Sequence, residues 1–210
     1  MGLGSHEIVA GIDVGGVKKG FHVVALRQGQ YVDQLASTEP NEIADWCRSL
    51  EVALIGVDAP SQFSRDGKPR ICERELIAAK IFCFGSPTQE VAENHPKNYY
   101  GWMLNGMALY KSLASTHPVI ALSDGPKIGC FETFPQAVAC ALSGGIVSAK
   151  DKNSIRRGLL DQLGIANTKF ESIDAVDAAL CAWAAYQLAL GDVQVFGSQE
   201  DGLIITPSSK

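Results

Sequence analysis

The first 58 residues contain four apolar segments whose order leaves few folds open. Segments 8–14, 20–26 and 31–37 are short and separated by glycine-containing turns, which predicts an antiparallel three-stranded meander. A predicted helix over 38–50 leads to 52–58, a nearly unbroken apolar run that is typical of a strand buried on both faces. A strand reached through a helix is most simply parallel to its neighbour. The order therefore predicts an α/β domain built on a mixed sheet.

The remaining chain is predicted to complete the same domain. Residues of about 60–127 form an insertion after the fourth strand, with helices over 71–80 and 98–114. Beyond the insertion the pattern predicts a fifth strand, three helices and a short edge strand, over 128–134, 135–144, 150–163, 173–190 and 202–207. The length of 210 residues fits a single domain, 1–210, that carries such an insertion.

Charge and composition exclude several classes of protein. The chain has 18 Lys and Arg against 23 Asp and Glu, and the net charge of −5 excludes a basic coat for nucleic acid. It has no run of about 18 apolar residues, so no membrane span is predicted. The start lacks a secretory signal pattern. The six cysteines form no CxxC pair and are predicted to be reduced, buried thiols of a cytoplasmic protein.

Four aspartates lie where chemistry is expected. Asp13 ends the first predicted strand and Asp58 the fourth. If these strands are parallel neighbours, both carboxylates project into one crevice, and burial there is costly without compensating cations or hydrogen bonds. Asp174 and Asp177 share one face at the start of the helix over 173–190. One of this pair could serve as the helix N-cap, but capping does not require both.

Converging carboxylates without a matching basic cluster favour a hard divalent cation, Mg²⁺ or Mn²⁺. Two such ions serve phosphodiester hydrolysis by activating water and stabilising the leaving oxygen. We therefore predict catalytic and metal-binding roles for the four aspartates. Glu132, on the fifth strand, is either a further metal ligand or an anchor for the following helix. The alternative for the four aspartates is that they cap turns and pair with Lys18, Lys19 or Arg70.

Substrate contacts are predicted to be local. Arg70, Lys152 and Arg156 could receive phosphate oxygens, although solvated surface positions would also account for such residues. The Tyr99-Tyr-Gly-Trp102 cluster in the insertion could stack nucleobases, and helix packing is the alternative. The expected partner is a nucleic acid or a nucleotide.

Several motifs, in their order along nearly the whole chain, resemble the domain of unknown function 429 family. They are Gly11-Ile-Asp13, Val57-Asp58-Ala-Pro60, Arg70-x-Cys72-Glu73, Phe131-Glu132-Thr-Phe-Pro135, Lys152 with Arg156-Arg157, Asp174-Ala-Val-Asp177-Ala and Gly202-Leu-Ile-Ile-Thr-Pro207. The resemblance implies a nuclease of the ribonuclease H-like fold, with a five-stranded mixed sheet flanked by helices and a helical insertion after the fourth strand.

A narrower resemblance is to Holliday-junction resolvases. Their acidic residues correspond here to Asp13, Asp58, Asp174 and Asp177, and the resemblance implies a homodimer as the assembly to test. Resolvases usually carry Glu at the fourth-strand position, so the shorter Asp58 is a departure. The acidic net charge is another, because a long duplex calls for a basic surface.

Two other functions stay open. Residues 11–18 resemble the first phosphate loop of the sugar-kinase and actin superfamily, in which glycines let the backbone approach ATP. Those phosphotransferases need two such domains, however, and the sequence has no second Asp-x-Gly loop. The third hypothesis is a non-catalytic binding module, which predicts that Mn²⁺ does not change the melting temperature. The first hypothesis is a hydrolase, either a nuclease or a related phosphodiesterase.

Overall fold

Seven strands form one mixed sheet in a computed structural model that describes residues 7–121 and 128–209. The strands are β1 Ile8–Val14, β2 Phe21–Arg27, β3 Gln30–Ser37, β4 Val52–Asp58, β5 Gly129–Glu132, β6 Val193–Ser198 and β7 Gly202–Pro207. Their spatial order is β3-β2-β1-β4-β5-β7-β6. The predicted α/β class is confirmed.

The central strands pair as the sequence predicts. β1, β2 and β3 form an antiparallel meander, and β4 lies parallel to β1 on its other side. β5 continues the parallel part beside β4. In the register of β1 with β4, Asp13 lies opposite Asp58. The two carboxylates therefore leave the sheet at the same edge.

The prediction of five strands was wrong. β6 was not predicted, and β7 is no edge strand because it lies between β5 and β6. β6 pairs antiparallel with β7, whereas β5 meets β7 in parallel through Glu132 and Ile204. Most residues of β6 are only partly buried at the sheet edge, so its apolar signal in the sequence is weak.

Seven α-helices complete the described fold. They are α1 Pro40–Ser49, α2 Ile71–Ala78, α3 Gln89–Glu93, α4 Gly101–Leu113, α5 Pro135–Ser143, α6 Lys152–Gln162 and α7 Ile173–Leu190. Pro40 and Pro135 each lie in the first turn of a helix, where the missing N–H costs nothing. The insertion holds α2, α3 and α4, of which α3 was not predicted. Residues 122–127 of the predicted insertion lie outside the described part.

The sheet separates two apolar cores. On one face Val9 and Leu54 pack with α5, α6 and α7. On the other, Ala10 and Ile55 pack with α1 and α4. This alternation is the period of two expected for strands buried on both faces. All six cysteines are free and buried, as predicted.

Helix α7 lies directly on the sheet because two glycines let it approach. A Cβ atom on Gly11 would lie 2.0 Å from the backbone nitrogen of Ala182, and one on Gly56 would lie 2.6 Å from the carbonyl oxygen of Cys181. Among the described helices, α7 alone is long and apolar enough to cross a membrane by length and composition. Two-thirds of it (67%) is buried, as in the core helix of a globular domain.

Candidate functional site

The four predicted aspartates are brought to one edge of the sheet. Asp13 and Asp58 come from the carboxyl ends of the parallel strands β1 and β4. Asp174 and Asp177 come from the first turns of α7, which packs across these strands. We call these four residues the acidic cluster. Asp13 and Asp177 are buried, with 7% and 3% of their surface exposed.

The carboxylates of the acidic cluster repel one another. Burial raises the pKa of Asp13 from 3.8 to about 7, and the charges of Asp177 and Asp174 contribute to the rise. Burial also raises the pKa of Asp58 well above its ordinary value, with the charges of Asp13 and Asp177 adding to it. Carboxyl groups held in this way attract a compensating positive charge.

Three cationic side chains partly neutralise the acidic cluster. Lys19 Nζ lies 2.6 Å from Asp174 Oδ1, and Lys152 Nζ lies 3.5 Å from Asp177 Oδ2. Arg156 donates to Asp177 Oδ1. The alternative that Lys19 pairs with an acid is thus realised at Asp174. The Lys19 and Lys152 side chains are 51% and 43% exposed and can reorient, whereas Arg156 is buried.

A second hydrogen bond, to Gln136, fixes the position of Arg156. Its guanidinium donates to Gln136 Oε1 at 3.0 Å, and Gln136 Nε2 donates to the carbonyl oxygen of Val147 at 2.8 Å. This network holds Asp177 at the site. The predictions that Arg156 and Lys152 contact substrate stay predictions. Gln136 was missed because a single Gln in an apolar helix carries no distinguishing sequence signal.

Neither aspartate of α7 is needed as its cap. The N-cap is Ser172, whose hydroxyl accepts a hydrogen bond from the backbone N–H of Ala175 at 3.1 Å. The interpretation of Asp174 or Asp177 as the N-cap was therefore wrong. An aspartate so near the helix start still benefits from the helix dipole. In the structure the two aspartates are instead paired with cationic side chains, Asp174 with Lys19 and Asp177 with Lys152 and Arg156.

A separate buried ion cluster contains Arg70 and Glu132. Arg70 is only 2% exposed, and its two terminal nitrogens donate to the two Glu132 oxygens at 2.9 and 2.6 Å. Arg70 Nε donates to Glu73 Oε1 at 2.9 Å, and the backbone N–H of Ser61 donates to Glu132 at 2.8 Å. These contacts tie the insertion to β5. The roles predicted for Arg70 with phosphate and for Glu132 with metal stay predictions.

Two side chains of α4 hold the loops that follow the catalytic candidates. Asn105 Nδ2 donates to the carbonyl oxygen of Gly15 at 2.9 Å, just after β1. The Tyr110 hydroxyl donates to the carbonyl oxygen of Ala59 at 3.0 Å, just after β4. Sequence reasoning missed both residues, since a polar group in a helix shows no sign of a partner so distant in the chain. Through them the insertion helps to position the acidic cluster.

A pocket of about 450 Å³ opens beside Asp58. Five aromatic side chains line it, and we call it the aromatic pocket: Phe84, Tyr99, Tyr100, Trp102 and Phe134. The residues of the predicted Tyr99-Tyr-Gly-Trp102 cluster have different surroundings. Trp102 also packs against the core beneath α4, whereas Tyr99 is 53% exposed.

The donor chemistry of the acidic cluster suits a hard divalent cation, because every candidate ligand is a carboxylate oxygen. Within residues 7–121 and 128–209, no three His, Cys, Asp or Glu side chains already form an arrangement that could hold a metal ion. Asp174 and Asp177 are engaged instead by Lys19, Lys152 and Arg156. Metal binding through Asp174 or Asp177 would therefore compete with these ion pairs.

The family follows from a comparison with family models. A model described as "Protein of unknown function (DUF429)" matches residues 11–201. The match spans most of the chain, including all four residues of the acidic cluster, and the chain belongs to this family. Comparisons with curated proteins and with solved structures gave no match.

The raised pKa of Asp13 predicts a pH-dependent cost to stability. Unfolded Asp13 loses its proton near pH 3.8 and the folded group near pH 7, so the folded state is increasingly penalised as the pH rises between these values. The penalty reaches roughly 4 kcal/mol above pH 7 as an upper limit. We expect Asp13→Asn to raise the melting temperature in EDTA more at pH 8 than at pH 5.

The control for this measurement is Asp45→Asn, because the Asp45 side chain is 65% exposed on α1. It is expected to change the melting temperature little at either pH. An Asp13→Asn protein that melts earlier than the wild type at pH 8 would contradict the prediction.

Proposed function

We propose that this protein is a metal-dependent phosphodiesterase of ribonuclease H-like fold, either a nuclease or an enzyme acting on a smaller nucleotide. One observation carries the proposal. Asp13 and Asp58 are register partners at the carboxyl ends of adjacent parallel strands, and α7 adds Asp174 and Asp177 to the same edge. The partial strand order β3-β2-β1-β4-β5 supports the ribonuclease H-like assignment, with β7 and β6 as additions to it.

The acidic cluster would hold Mg²⁺ or Mn²⁺ through Asp13, Asp58, Asp174 and Asp177. When bound, the ions would supply an activated water and stabilise the leaving oxygen. A bound cation would lower the pKa of Asp13, because its positive charge would offset the burial and the charges of Asp177 and Asp174 that raise that pKa.

Basic side chains at the site would help to place the substrate. Lys19 and Lys152 are both partly exposed, and once released from the carboxylates their ammonium groups can reach phosphate oxygens. Arg156 stays buried and keeps Asp177 oriented. In this proposal the two lysines bind phosphate, and the arginine positions Asp177.

The hydrogen bonds of the β1–β2 turn argue against the phosphotransferase alternative. The backbone N–H groups of Lys19 and Gly20 both donate to the carbonyl oxygen of Gly16 at 2.8 Å, and that of Gly15 donates to Gly20. A phosphate loop needs such groups free to face the ligand. Because these three groups are used within the turn, they weigh against a phosphate loop there.

The test is hydrolysis of a labelled panel in Mn²⁺ and in EDTA, with single strand, duplex, hybrid, junction and dinucleotide substrates. We expect Mn²⁺-dependent cleavage of at least one substrate. We also expect Mn²⁺ to raise the melting temperature, because a ligand that binds only the folded state stabilises it. Absence of both effects would contradict the proposal and favour a binding module whose acids are structural.

A further inference from the structure

The aromatic pocket and the acidic cluster share a wall. Asp58 belongs to the cluster and also lines the pocket. Val14, the residue after Asp13, lines the pocket as well. A molecule in the pocket can therefore contact Asp58, which belongs to the acidic cluster. The volume of about 450 Å³ lies within the roughly 300–1,000 Å³ typical of small-molecule sites.

The pocket offers flat apolar surfaces. Tyr99 and Tyr100 stand edge to face with ring centroids 5.0 Å apart, and both rings contact His95. Phe84 is 65% exposed at the pocket, an unusual position for so large an apolar side chain. Among the described residues that line the pocket, Asp58 is the one charged group. This lining favours a planar ring over a phosphate.

We propose that the aromatic pocket holds one unpaired nucleobase of the substrate while the adjoining phosphodiester lies at the acidic cluster. The proposal rests on the phosphodiesterase function and names its substrate class, a single-stranded nucleic acid or a short nucleotide with an exposed base. Stacking on aromatic side chains is the general means of holding unpaired bases without regard to sequence.

The charge of the protein supports an unpaired base over a duplex. Duplex binding draws much of its affinity from Lys and Arg on phosphates. The net charge of −5 provides no basic coat, and the partly exposed Lys19 and Lys152 at the acidic cluster supply local contacts. Affinity must then come from another source. A base in a duplex is already stacked and paired, so its faces cannot enter this pocket.

The first experiment measures binding without metal or phosphate. Nucleosides, ribose and tetramethylammonium are titrated calorimetrically into the wild type in EDTA, and into Tyr99→Ala and Phe84→Ala. Both altered side chains are more than half exposed, so folding should be retained, as their melting temperatures will show. The matched control is Phe82→Ala, because Phe82 is 74% exposed, contacts Phe84 edge to face and does not line the pocket.

We expect nucleosides to bind and ribose not to bind, with affinity about 10- to 100-fold weaker in the two pocket variants and unchanged in Phe82→Ala. Nucleosides that fail to bind, or that bind all variants equally, would overturn the proposal. So would tetramethylammonium binding in their place, since an aromatic pocket beside a carboxylate also suits an organic cation.

A second experiment separates this proposal from the enzymatic one. In Mn²⁺, KM is compared for a single strand, the same strand with abasic sites, and a dinucleotide. A raised KM on the abasic strand supports the pocket, and the dinucleotide shows whether a short substrate suffices. Equal KM values would overturn the pocket while leaving the phosphodiesterase in place. Nucleoside binding without any Mn²⁺-dependent cleavage would leave the pocket and remove the enzyme.

Discussion

Replacing Asp13 by Asn is expected to lower Mn²⁺-dependent hydrolysis by about 1,000-fold or more while the fold is kept. Asp13 belongs to the acidic cluster, and the charges of Asp177 and Asp174 help to raise its pKa. The amide has nearly the same shape but no charge, so the variant loses metal affinity and with it the activated water. The measurement is kcat/KM on whichever substrate of the panel the wild type cleaves.

The same variant should separate activity from stability. Because the carboxylate at position 13 is penalised by burial, the inactive variant is expected to be at least as stable as the wild type in EDTA at pH 8. Mn²⁺ should no longer raise its melting temperature. Asp45→Asn, on the exposed face of α1, should retain both activity and the metal response. Full activity in Asp13→Asn would exclude the acidic cluster as the catalytic centre.

The second large effect is expected from Gly11→Ala. The added methyl carbon would lie 2.0 Å from the Ala182 nitrogen and 2.1 Å from the Ala178 carbonyl oxygen, and both are backbone atoms that no rotamer change can move. Helix α7 must shift away from β1 or the strand must bend. Overpacking of this kind costs about 3 kcal/mol, or a fall in melting temperature of roughly 6–12 °C for a chain of this length.

This substitution should also disturb the site, because α7 carries Asp174 and Asp177. The metal-induced melting shift is expected to shrink together with the stability. Gly16→Ala is the matched control, since a Cβ there meets nothing within 4 Å and its φ is not positive. A Gly11→Ala protein with the melting temperature of the control would contradict the close approach of α7.

The sequence predicted those parts of the fold that depend on local pattern. The apolar runs of β1 and β4 and the Ala-rich helix α7 were predicted close to their observed bounds. The strand β6 was missed because its position at the sheet edge leaves most of its residues half-buried. Ser172 was overlooked as the cap because Asp174, two residues later, is an equally good capping residue by type.

The contacts of the site were beyond local reasoning. Arg70 and Glu132 are 62 residues apart, and only the folded chain shows that they bind each other. The convergence of Asp13 with Asp58 was predictable because parallel strands end at one edge. Trp102 packs against the core, whereas Tyr99 is exposed. This difference depends on how α4 lies against the sheet.

The position of α7 in the chain has a consequence for synthesis on the ribosome. The central strands β1 and β4 are made first, yet the helix that covers one face of both is completed only at Leu190. Until then, apolar residues such as Val9 and Leu54 have only α5 and α6 as helical partners on that face. A nascent chain of this design must keep its earliest strands from aggregating until α7 emerges. The acidic cluster cannot form before α7 has been synthesised, because Asp174 and Asp177 lie in the first turns of that helix.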